Sequence, residues 1–229
     1  MRKDTQEDAL QMLCRYNTIV LVDDSLSMSQ CGRWKQAAQA FADLADVAIN
    51  YDTDGIDIHF IHSKLSGENM KGAQEILSLF DRVSPRENFT PLGTKLDELL
   101  RAYLANLELA HRRDPVGLNG IKPVNIIVIT DGMPSDDPES IIVQAARRLD
   151  KLNVSPDQVG IQFVQIGNST EATEFLMELD DAMSERYGTL RDIVDTTPYD
   201  LTGGNLPPET IIKILLGGVN KRQDRKEVK

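Results

Sequence analysis

Residues 17–27 read NTIVLVDDSLS, a run of apolar and β-branched residues that stops abruptly at two acids and two serines. Asn17 to Val22 is short and continuous rather than alternating, the pattern of a parallel strand covered on both faces. Working outward, Val124 to Thr130 (VNIIVIT) is the most hydrophobic run in the chain, and it too stops at an acid, Asp131-Gly132. Val159 to Ile166 (VGIQFVQI) is a third such run. Helical periodicity separates these runs. Arg33 to Asn50 carries Trp34, Ala37, Ala38, Phe41, Leu44, Ala45 and Ala48 on one stripe. Pro91 opens a longer helix to about Arg112, with Leu92, Leu96, Leu99, Leu100, Tyr103, Leu104 and Leu107 on its apolar face, since proline in a first helical turn costs no hydrogen bond.

Weaker elements fill the remainder. Gly55 to His62 alternates apolar and polar, as a strand near a sheet edge does. Gly72 to Phe80 reads as a short helix, and Glu171 to Ser184 as a longer one. Ser135 is expected to cap a helix that ends near Leu152, with Asp136, Asp137 and Glu139 at its positive end. Asp192 to Asp195 is expected to form a last short strand, and Pro207, Pro208 and Glu209 to start a helix to Leu216. Alternating strands and helices predict an α/β fold: a doubly wound, mostly parallel central sheet with helices on both faces. We expect an N-terminal extension over 1–15, one domain over 16–218 and a charged tail over 219–229.

The 229 residues suit one such domain, and the hydrophobic fraction of 41% suits a full core. A formal net charge of −11 argues against nucleic acid and against an anionic membrane surface as partners. The N-terminal stretch MRKDTQEDALQMLCRYN has acids where a signal peptide needs an apolar run, so a cytoplasmic location is expected, as a separate protein or within a larger chain or complex. The two cysteines, Cys14 and Cys31, have no CxxC neighbour and read as bystander thiols.

In a doubly wound sheet, ligands bind beyond the carboxyl ends of the strands, where strand order reverses. The residues found there are Asp23, Ser25 and Ser27 after the first strand, Asp131 after the strongest strand, and Thr90 in the loop before the Pro91 helix. Two carboxylates and three hydroxyls are all hard oxygen donors, which favour Mg²⁺, Mn²⁺ or Ca²⁺ over zinc or copper. Asp23, Ser25 and Ser27 are two apart, so an extended loop would turn all three the same way and Asp24 and Leu26 elsewhere. Two carboxylates nearly neutralise a dication, which leaves it free to accept a further anionic oxygen.

With these residues in place, the chain resembles the von Willebrand factor A (vWA) domains, which include the integrin inserted domains. DDSLS fits their D-x-S-x-S signature, the metal-ion-dependent adhesion site (MIDAS); Phe89-Thr90-Pro91-Leu92-Gly93 is similar to their middle threonine motif, and Ile129-Thr130-Asp131-Gly132 to their last aspartate motif. The similarity runs from Tyr16 to Leu216 and looks closest to intracellular fungal members. It implies that Ser25 and Ser27 hold the cation directly, Thr90 directly or through water, and Asp23 and Asp131 mainly through water. It also implies that the domain is not an enzyme but a protein–protein interaction module binding an Asp or Glu of its partner. The family's sheet has one antiparallel edge strand, whereas Ser63 to Asn69 is polar and contains glycine, so a reduced edge is expected here. In the integrin domains the C-terminal helix moves when the metal changes ligands; residues 208–216 stand in that place.

Other functions weigh less. A metal-dependent phosphohydrolase with an aspartyl nucleophile would favour D-x-D, where this chain has Ser25. A cation that only stabilises the loops would raise thermal stability without an outside ligand. Nucleotide-binding glycine motifs are missing from the first turn. Asp24 reads as a solvated acid or as an acceptor for a loop N–H, Leu26, where the family commonly has Gly, as a bulky apolar group at the rim of the site, Trp34 as a core residue or a rim contact near Ser27, and His59, His62 and His111 lack metal-ligand spacing. Asp136-Asp137 reads as helix-terminal charge, and Asp52-x-Asp54-Gly55 lacks the later ligands of a calcium loop.

Overall fold

The computed structural model describes residues 10–51, 54–114, 120–185, 191–199 and 208–219. The first nine residues, Asp52 of the rejected calcium-loop pattern and the charged tail from Asn220 lie outside them. Three continuous apolar runs become strands: β1 (Asn17–Val22), β4 (Val124–Thr130) and β5 (Val159–Ile166). Every residue of β4 and β5 is buried, as strands covered on both faces require. The alternating segment becomes β2 (Ile56–Phe60). The remaining strands are β3 (Ser66–Met70) and β6 (Val194–Tyr199). The order is β3-β2-β1-β4-β5-β6, with β3 antiparallel to β2 and all other neighbours parallel.

The helices are α1 (Arg33–Ala48), α2 (Ala73–Asp81), α3 (Leu92–Arg113), α4 (Pro138–Lys151), α5 (Thr170–Glu185) and α6 (Pro208–Leu216). Side chains alternate along each strand and so feed two cores. On one face, Val20, Val22, Ile58, Phe60, Ile127 and Ile129 pack against α1, α2 and α6. On the other, Leu21, Ile126, Val128, Ile161 and Phe163 pack against α3, α4 and α5. This is the expected doubly wound α/β architecture, and the reversal of strand order lies between β1 and β4. No helix among the described residues is long and apolar enough to cross a membrane.

Four local expectations change. The edge strand is present: β3 pairs with β2 from Ile56↔Met70 to His59↔Ser66 despite its polar sequence, because an edge strand is held by backbone pairing while its side chains face solvent. The last strand starts later and runs further than Asp192 to Asp195. Asp137, not Ser135, caps α4, its carboxylate accepting from the Ser140 N–H at 3.0 Å. Leu10 and Leu13, from the stretch read as an N-terminal extension, are buried in the α1–α2–α6 core. Trp34 is only partly buried but packs on Phe80 and Phe60, with ring centroids 4.8 and 5.9 Å apart.

The C-terminal helix is docked through its last turn. The buried Asn125 side chain donates to the Leu215 carbonyl at 2.6 Å. Beyond it, a Cβ on Gly160 of β5 would stand 2.3 Å from the Gly218 carbonyl oxygen, so the two backbones meet where neither can carry a side chain.

Candidate metal centre

The site is built by β1 and β4, parallel neighbours whose ends are level: Val22 pairs with Ile129, and the Asp23 N–H donates to the Ile129 carbonyl at 2.8 Å. Each chain leaves its strand with an oxygen-rich loop. After β1 the backbone is extended at Ser25 and then tightens into a 3-10 segment, Leu26–Gly32. The loop is therefore not extended throughout, yet the turn still brings the two serine hydroxyls together, at 3.0 Å. Ser27 Oγ in turn donates to Asp131 Oδ1 at 2.8 Å. Ser25, Ser27 and Asp131 thus form one continuous line of oxygens across the two loops.

Asp23 lies beneath this line with no exposed surface. Its Oδ1 accepts from the Ser25 N–H at 2.9 Å, and its Oδ2 from the Thr130 hydroxyl at 2.7 Å. Burial pushes its carboxyl above the usual range; the Ser25 N–H and the Thr130 hydroxyl pull it back, and the nearby Asp131 charge adds to the push. A buried ionised carboxylate in such surroundings is stabilised by a cation.

Asp24 faces the other way, as the alternation predicts, but it is not solvated. It is buried, and its two oxygens accept from the His62 and Ser63 N–H groups at 2.8 and 2.9 Å. It thereby ties the end of β1 to the loop after β2. Leu26 N–H donates to the Glu87 carbonyl at 2.7 Å, which draws in the segment leading to Thr90.

Thr90 is buried and held through its backbone. Its N–H donates to Ser135 Oγ at 3.0 Å, and its carbonyl accepts from the Ser135 N–H at 2.9 Å. Asp136 completes the tie by capping α3: it accepts from the Gly93 and Thr94 N–H groups, each at 2.8 Å, and from the Thr94 hydroxyl at 2.9 Å. Ser135 and Asp136 therefore lock the Thr90 loop to the Asp131 loop rather than serving their own helix. Thr90 is brought to the same two loops as the other four residues, but its hydroxyl makes no direct hydrogen bond to any of them.

Two features were not legible beforehand. Arg33, the first residue of α1, places Nη1 2.6 Å from Asp131 Oδ2, so that a guanidinium and Ser27 share one carboxylate. The only sequence signal was its place: a cation in a first helical turn opposes the helix dipole and calls for another partner. The second is a set of exposed apolar side chains on the three site loops, of which only Leu26 could be read from the sequence. Leu26, Phe89 and Met133, one on each loop, are 40%, 53% and 49% exposed. Phe89 is steadied edge-on by His62, with ring centroids 5.0 Å apart.

The donor set suits a hard divalent cation. Among the described residues no group of three or more His, Cys, Asp or Glu side chains is gathered for a metal; the candidate residues instead offer two carboxylates and the hydroxyls beside them. Such a mixed set suits Mg²⁺ or Mn²⁺, which retain waters, better than a thiolate- or imidazole-seeking metal. Cys14 and Cys31 are free, exposed thiols outside this line of oxygens. No family model matches the chain, and no curated protein matches it.

Proposed function

We propose that this chain is a vWA-type module that holds one divalent cation, Mg²⁺ in the first instance, and uses it to bind an Asp or Glu side chain of a protein partner. The observation that carries the proposal is the line of oxygens from Ser25 through Ser27 to Asp131, above the buried Asp23 and at the reversal of strand order. Ser25, Ser27 and Thr90 would supply hydroxyl oxygens, and Asp23 and Asp131 the compensating charge. With two carboxylates against two positive charges, an incoming carboxylate meets no strong repulsion.

A protein is a better partner than a small anion because the three site loops each expose a large apolar side chain. Apolar side chains around a polar centre are the composition of a protein-binding patch. In this reading the Ser25 and Ser27 hydroxyls, which bond to each other and to Asp131, serve as metal ligands, and the module acts as a binder rather than an enzyme.

The immobilised chain, exposed to its source proteome in Mg²⁺, is expected to retain partners that EDTA releases and restored Mg²⁺ recaptures. The same partners should be lost from a Ser25→Ala/Ser27→Ala variant of unchanged circular dichroism. Retention indifferent to both EDTA and the double substitution would refute the proposal.

A further inference from the structure

Arg33 gives the candidate centre a positive charge of its own. Its Nη1 lies 2.6 Å from Asp131 Oδ2, and the Asp131 side chain has no exposed surface, whereas that of Arg33 is 19% exposed. Both Asp131 oxygens are therefore taken, one by Ser27 and one by the guanidinium. The fold leaves room for this placement. Gly167, just after β5, has φ +86°, and a Cβ there would stand 2.9 Å from Arg33 Nε. The helix does not favour it, since the first turn is the positive end of the dipole.

We propose that Arg33 is a tethered counter-cation that competes with the divalent ion for Asp131 and so sets the Mg²⁺ concentration at which the centre fills. This rests on the metal-dependent reading above. The charges give the reason. Two carboxylates and one guanidinium leave one negative charge, and a dication added to that set leaves one positive charge in a largely buried place. That excess is relieved when the guanidinium leaves Asp131 for the solvent that its side chain already touches.

The test is calorimetric titration of Mg²⁺ into the full chain and into Arg33→Gln and Arg33→Lys variants, at one pH and ionic strength. Arg33→Gln is expected to bind Mg²⁺ at least about tenfold more tightly than the parent, and Arg33→Lys, which keeps the charge, to stay within about threefold of it. In the parent protein, the Arg33 side-chain N–H resonance should shift as Mg²⁺ saturates, a measurement that needs no variant to fold. Equal Mg²⁺ affinity in the parent and Arg33→Gln, or an Arg33 resonance unmoved at saturation, overturns the role of Arg33 alone. Heat of binding in neither protein overturns the metal centre and the competition together.

Discussion

Asp23→Asn is expected to weaken Mg²⁺ binding by about 100-fold while leaving the metal-free protein at least as stable as the parent. The affinity is lost because one of the two compensating charges disappears, in a site with little solvent to replace it. The stability follows from the opposite sign of the same charge. Burial raises the Asp23 carboxyl, so the folded chain holds that proton more strongly than the unfolded chain does. Stability therefore falls as pH rises through and above the ordinary carboxylate range, and at neutral pH the ionised group costs stability unless a cation offsets it. Asparagine removes that cost and keeps the local bonds: its carbonyl can accept from the Ser25 N–H, and its amide can donate to Thr130 once that hydroxyl turns. Thermal melts should show that Mg²⁺ raises the melting temperature of the parent and not of the variant. An unchanged Mg²⁺ affinity would remove Asp23 from the centre.

Phe163→Ala should do the reverse. Phe163 lies in the middle of β5, fully buried between Val128 of β4 and Thr196 of β6, and feeds the core beneath α3, α4 and α5. Removing a buried phenylalanine costs about 3–5 kcal/mol, most of it from lost burial and the cavity left behind. For a domain of this size that lowers the melting temperature by on the order of 10 °C. The oxygens that define the centre hang on the ends of β1 and β4, so the folded fraction should bind Mg²⁺ as the parent does. A loss of stability below about 1 kcal/mol would mean that this core does not carry the sheet.

The central strands were readable because burial on both faces forces continuous apolar runs, and β1, β4 and β5 begin and end where those runs do. The edges were not. SGENM in β3 is mostly exposed, so no hydrophobic period marks it; its order comes from pairing with β2. β6 includes Pro198, a residue that reads as a break and is tolerated in a sheet at an outer strand.

The site divides the same way. That Asp23, Ser25, Ser27 and Asp131 come together could be read because each follows a legible strand, and the two strands are neighbours. The residues that fix their loops were hidden because their partners are distant in sequence. Ser135 and Asp136 resemble caps of the helix they precede and instead hold Thr90, Gly93 and Thr94. Of the two readings open for Asp24, solvated acid or acceptor for a loop N–H, the second holds, and its partners in the turn after β2 were what the sequence hid. Arg33 resembles an ordinary helix-surface residue and instead reaches Asp131, 98 positions away.

Diffraction from crystals soaked in Mn²⁺, recorded for its anomalous signal, decides whether these loops hold a cation. One strong peak is expected within coordination distance of the Ser25 and Ser27 hydroxyls, beside Asp131, with a vertex open to solvent or to a neighbouring carboxylate. Saturating Mn²⁺ with no peak at these residues, or with its peak elsewhere on the molecule, would contradict it.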